Sequence, residues 1–144
     1  MTRSVRALVV LGAVAFLVPG VWSFGWPRSF HETVARFDPF NLHLFHDLGA
    51  FQIGIGVALV AALAWRDAVA VALAGATAGA AVHAVSHVMD RDLGGRASDP
   101  YLLSLLALLL AAGLVLRLRH HPSRGATPGR ARERSRTVPQ DRAV

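Results

Sequence analysis

Seven histidines stand in this chain, and four of them fall into two short patterns with aspartate nearby. His43 and His46 lie next to Asp47, while His83 and His87 are followed by Asp90. A spacing of four residues puts two side chains on one helix face, so His43 pairs with Asp47 and His83 with His87. Neutral imidazole nitrogens and carboxylate oxygens are ligands for zinc, copper(II) and non-haem iron, and an i,i+4 pair lets one helix supply two of them. Two such pairs on neighbouring helices give the metal-ligand set His43, Asp47, His83 and His87, with His46 and Asp90 as additional candidates. The same residues allow haem held by one histidine from each helix, or a proton relay or quinone-binding histidine. They equally allow a structural use, in which a hydrogen-bonded His/Asp cluster only fastens two helix ends. No serine sits in a nucleophile-elbow pattern, so hydrolysis ranks below these. The patterns leave open whether the protein is an enzyme.

The elements that must position these residues are apolar. Of the 144 residues 53% are hydrophobic and 17% charged, too little polar surface for an ordinary soluble domain. The apolar residues gather in four blocks, about 7–26, 39–65, 68–89 and 101–118. Each approaches the ~20 residues that cross a ~30 Å hydrocarbon layer as a helix. Helices are required there, because lipid offers no partner for an unpaired backbone N–H or C=O. The expected fold is an all-α, polytopic membrane four-helix bundle over 1–118, followed by a disordered arginine-rich tail over 119–144. The first block has a signal-peptide-like basic start at Arg3 and Arg6, but no small-x-small cleavage site follows it. Trp22, Phe24 and Trp26 instead suit a retained helix reaching the headgroup layer.

Arg66 and Asp67 form a short turn between the second and third blocks, so these two spans are antiparallel neighbours. Folding about that turn pairs His46 with His87 and His43 with Asp90, which places the polar cluster at one end of the hairpin. The third span carries Gly75 and Gly79 in a G-x-x-x-G arrangement among alanines, and the second carries Gly49, Gly54 and Gly56. Small residues let helix backbones approach closely in lipid, so these glycines are expected to pack helices and to offer a homo-oligomer contact. Gln52 and Thr77, polar and mid-span, are expected to bond between helices. Asp38-Pro39 and Asp99-Pro100 read as helix starts, and Ser29 with Glu32 has capping-box spacing before a short surface helix.

Cysteine is absent, which removes disulfides, thiolate metal sites and a cysteine nucleophile. All 15 basic residues are arginine, and eight of them lie from Arg117 onward. That asymmetry predicts a cell-membrane protein with both termini cytoplasmic and the His/Asp cluster facing outward, although without the tail the bias disappears, with Arg3, Arg6 and Arg66 inside against Arg28, Arg36, Arg91 and Arg96 outside. The tail's charge suits anionic lipid headgroups. Nucleic acid is a poorer partner, since the tail lacks interleaved aromatics. His31, His120 and His121 read as surface residues.

The pattern Asn41-Leu42-His43, then Asp47-Leu48-Gly49-Ala50, then His83 and His87, resembles a group of small four-span membrane proteins from actinobacteria that are loosely DoxX-like. The likeness spans about residues 39–118. It implies a four-helix membrane bundle and a shared polar set of His43, Asp47, His83 and His87, with no activity attached. His46 departs from the group's pattern, where arginine is more frequent. The functional expectation is a metal-binding or redox-associated site, its cofactor zinc, copper, iron or, at lower rank, haem. The competing expectation is a non-enzymatic structural or assembly protein.

Overall fold

A computed structural model describes residues 1–120. Five helices follow one another: α1 (Arg3–Gly25), α2 (Pro27–Thr33), α3 (Leu42–Ala64), α4 (Val69–Met89) and α5 (Asp99–Arg119), with a 3-10 turn at Arg66–Ala68 between α3 and α4. Helices α1, α3, α4 (with that turn) and α5 are long and apolar enough to cross a membrane, which is the architecture of a multi-pass membrane protein. The expected four-helix bundle is therefore present. The tail expected to be disordered lies outside the described residues from 121 onward.

Local chemistry sets the helix ends. Thr2 caps α1 by accepting from the Val5 N–H at 3.3 Å, and Asn41 caps α3 by accepting from the Leu44 N–H at 3.2 Å. The second span thus begins at Leu42 and not at Pro39. Asn41 supplies the cap expected of Asp38, and the Asp38-Pro39 bond is cis within the preceding loop. Nor does Ser29 form a capping box, because α2 already starts at Pro27; its hydroxyl instead accepts from the Trp22 indole N–H at 3.3 Å. Asp99-Pro100 does open a helix, with the aspartate in the first turn and Arg117 and Arg119 in the last, the arrangement that suits the helix dipole.

The bundle is unevenly packed. Helices α1 and α3 lie closest, α4 packs on α5, and the hairpin partners α3 and α4 touch more lightly. Gly20 and Gly49 explain the first contact. A Cβ built on Gly49 would stand 2.7 Å from the Phe24 nitrogen and 2.8 Å from the Gly20 oxygen, so the two backbones meet with nothing between them. Gly56 likewise admits Leu17. Gly54 and Gly75 have open space where a Cβ would be, and Gly79 meets only Ile55 at 4.0 Å. The close-packing role expected of the α4 glycines thus falls, within this chain, to Gly20, Gly49 and Gly56. Val5, Val9, Leu59, Leu73 and Leu110 fill the core toward the end where the 3-10 turn lies, hereafter the turn end. There Arg117, buried, donates to the Arg66 carbonyl at 2.7 Å and ties the last turn of α5 to the hairpin.

Candidate functional site

The opposite end, where α3 begins and α4 finishes, is the histidine end. Its geometry follows from how α3 is turned about its axis. Phe45, Gly49, Gly56, Leu59 and Ala62 are buried, a three-and-four spacing that marks the face laid against the bundle. At ~100° per residue His43 and Asp47 each fall about 160° from Phe45, on the other side of the helix. They pair with each other, Nε2 to Oδ2 at 3.4 Å, with the His43 side chain 87% exposed. His46 lies between these faces and packs at a tilt against Phe24 of α1, ring centroids 5.1 Å apart.

On α4 the buried positions are Val69, Leu73, Ala76, Ala80 and Ala84, and His83 and His87 flank that line. Their Nε2 atoms are 3.1 Å apart. Behind His87 stands Asp99 of α5, its Oδ2 at 4.0 Å from Nδ1 and also accepting the Arg96 N–H at 2.8 Å. Three polar groups thus run in a row, Asp99 to His87 to His83, from the end of the bundle into its interior. Asp99 was missed as a site residue in the sequence, where its only signal was as a helix start before Pro100.

The row opens on a half-open cavity of 670 Å³ lined by α1, α3, α4 and α5. Ala15, Phe16 and Pro19 line it from α1, Leu48 and Gln52 from α3. Ala80 from α4 and Leu102, Leu103 and Leu106 from α5 complete its apolar walls. Asp90, the residue that follows α4, also reaches it. Gln52 therefore faces this space, and Thr77 donates to the Leu73 carbonyl of its own helix at 2.6 Å, in place of the interhelical bond expected of it.

Two loops cover the histidine end. In the first, Phe37 and Phe40 stack on Phe45, each 5.4 Å between centroids, and His31 bonds the Phe37 carbonyl at 2.7 Å. His31, expected at the surface, is instead held among Phe37, Phe40 and Phe45, its side chain 14% exposed. In the second, Gly94 has φ +129° and lies so close to the Arg36 carbonyl that a Cβ would come within 2.6 Å of it. The Gly95 N–H donates to that same carbonyl at 2.9 Å, and the Arg96 guanidinium donates to the Thr33 carbonyl. The loops are clasped together over the cavity mouth.

Among the described residues no three His, Asp or Glu side chains converge closely enough to hold a metal ion. The expected set His43, Asp47, His83 and His87 accordingly divides into two pairs, one turned away from the bundle and one lining the cavity, and neither His46 nor Asp90 turns a pair into a metal-binding group. The reason is the rotation of α3. Pairing His46 with His87 by counting from the turn sets depth along the helices but leaves their facing undetermined. The chain matches no family model, no curated protein and no solved structure.

Proposed function

We propose that this multi-pass membrane protein binds a lipid-soluble small molecule in the cavity at its histidine end. His83 and His87, backed by Asp99, hold the molecule's polar head and exchange protons with it. The observation that carries this reading is the polar row Asp99, His87, His83 ending in a largely apolar space of 670 Å³, which Gln52 and Ser86 also border and Asp38 and Asp90 rim. Ligand pockets commonly have about this size, apolar walls and a few convergent polar groups. A mere fastening of helix ends does not call for a cavity behind the fastener.

A second reading is favoured by one distance. Two nitrogens 3.1 Å apart suit two ligands of one zinc, copper or iron ion at bond lengths of about 2.0–2.1 Å, and a carboxylate behind a ligating histidine is the usual orienting partner. The remaining positions would then be filled by water or by the bound molecule. The arginine distribution further supports both termini in the cytoplasm and the histidine end outside, with the arginine-rich segment from 119 onward against anionic lipid.

Extraction of protein purified in detergent, followed by mass spectrometry, tests the main reading. A lipid-soluble compound should be recovered from the parent protein and be depleted in Ala15→Phe, which fills the cavity, and in the His83→Ala, His87→Ala double variant. Equal recovery from all three, with unchanged melting temperatures, refutes it. Elemental analysis of the same samples tests the second: stoichiometric metal lost in the histidine variant supports it, and metal-free parent protein rejects it.

A further inference from the structure

We infer that the cavity selects an amphiphile with a cationic, hydrogen-bond-donating head, the class of lipophilic amines, and excludes carboxylates and phosphates. The inference rests on the cavity being the ligand site, as proposed above, and adds the chemistry of the ligand's head. Its basis is the sign of the charges that meet the cavity. Among the described residues, Asp38, Asp90 and Asp99 border it and no arginine does.

That imbalance is built into the histidine end, because each arginine there is engaged elsewhere. Arg28 lies over the Phe40 ring at 4.6 Å, and Arg36 donates to the Glu32 carbonyl at 2.9 Å. Arg91 pairs with Asp92 at 3.8 Å, and Arg96 holds the Thr33 carbonyl. An anionic head entering the cavity would come up against the Asp99 carboxylate beside His87 and against Asp90 at the mouth, whereas the Asp38 side chain, 95% exposed, is turned outward; no arginine among the described residues lines the cavity to receive it. An ammonium head can donate its N–H groups to the carboxylates that reach the cavity and to the unprotonated imidazole nitrogen that the His83–His87 contact leaves unshared.

Two further features point the same way. Phe30 and Phe37 line the mouth, and the aromatic cluster they belong to already carries one cation, Arg28, over its Phe40 ring. On α1, Pro19 has no N–H to give to the carbonyl four residues earlier, that of Ala15, and both residues line the cavity. The Ala15 carbonyl is therefore without its usual intrahelical donor in this wall. Acceptors and aromatic rings surround the head position, and apolar side chains surround the body.

Four compounds with one chain and different heads separate the possibilities: decylamine, decanol, decanoate and decyl phosphate. Each is titrated against the full-length protein in phosphatidylcholine nanodiscs, and binding is read by displacement of radiolabelled decylamine. Decylamine should bind about tenfold or more tighter than decanoate or decyl phosphate, with decanol between, the range set by charge-assisted hydrogen bonds. The Asp90→Asn, Asp99→Asn double variant should lose about tenfold for decylamine and little for decanol. Decanoate or decyl phosphate binding as tightly as decylamine overturns the head-group assignment but leaves the cavity reading standing. Decanol matching decylamine overturns the cationic preference in the same way. Saturable binding of none of the four, or binding undiminished in both Ala15→Phe and Leu103→Phe, overturns the cavity reading itself. Thermal melts of each variant separate loss of the site from loss of the fold.

Discussion

His43 and His83 are the same residue type in the same kind of i,i+4 pair, and their surroundings give them opposite roles. His43 is turned away from the bundle with Asp47, whereas His83 lines the cavity with His87 at 3.1 Å. Substitution should separate them: His83→Ala lowers ligand affinity by about tenfold, and His43→Ala leaves it within twofold, on the scale of one or two lost hydrogen bonds. Equal effects in a displacement titration would show that the two pairs act together after all. A second residue-scale test concerns Ser23, fully buried, whose hydroxyl donates to the Phe45 carbonyl at 2.7 Å and joins α1 to α3 just beneath the aromatic cluster. Ser23→Ala should cost about 1 kcal/mol, seen as a lower denaturation midpoint in detergent. An unchanged midpoint would mean that this bond contributes nothing net.

Between elements the decisive contact is that of α1 with α3. Gly49→Ala puts a methyl group 2.7 Å from the Phe24 nitrogen and 2.8 Å from the Gly20 oxygen, neither of which can move without moving a helix. Overpacking of that kind costs about 1–3 kcal/mol, and it should lower the melting temperature and disturb the cavity that α1 and α3 jointly line. Gly75→Ala meets nothing within 4 Å and should leave the melting temperature unchanged. The contrast matters because Gly75 and Gly79 form the more obvious G-x-x-x-G pattern in the sequence. Their openness leaves the α4 face free for a second copy, and a lower oligomer mass in Gly79→Leu, with the fold intact, would reveal one. The histidine pair was legible in the sequence from its spacing alone. The partners of that pair were not: Asp99 sits on another helix and comes to His87 only because α4 and α5 pack together.

For the whole molecule, the arginine distribution makes a directional prediction that the natural absence of cysteine renders simple to check. A single cysteine at Asp92, in the loop between α4 and α5, should react with a membrane-impermeant maleimide on intact cells. One at Asp67, in the turn between α3 and α4, should react only after the membrane is opened. The reverse pattern would invert the protein and place the cavity mouth in the cytoplasm.

Composition and block length alone specified the number of spans, because a helix must be about as long as the hydrocarbon layer is thick and lipid tolerates no open backbone. The short turn at Arg66 and Asp67 alone specified that α3 and α4 run antiparallel, and i,i+4 spacing specified which residues pair within each. What the periodicity of a helix leaves open is its rotation toward one neighbour or another. The tertiary structure decided that through Gly20 and Gly49, whose close approach turns Phe45 inward and carries His43 and Asp47 away from the bundle. The cavity has the same origin: it is the space left where α1 is drawn onto α3 and α4 onto α5, and no single stretch of the chain contains it.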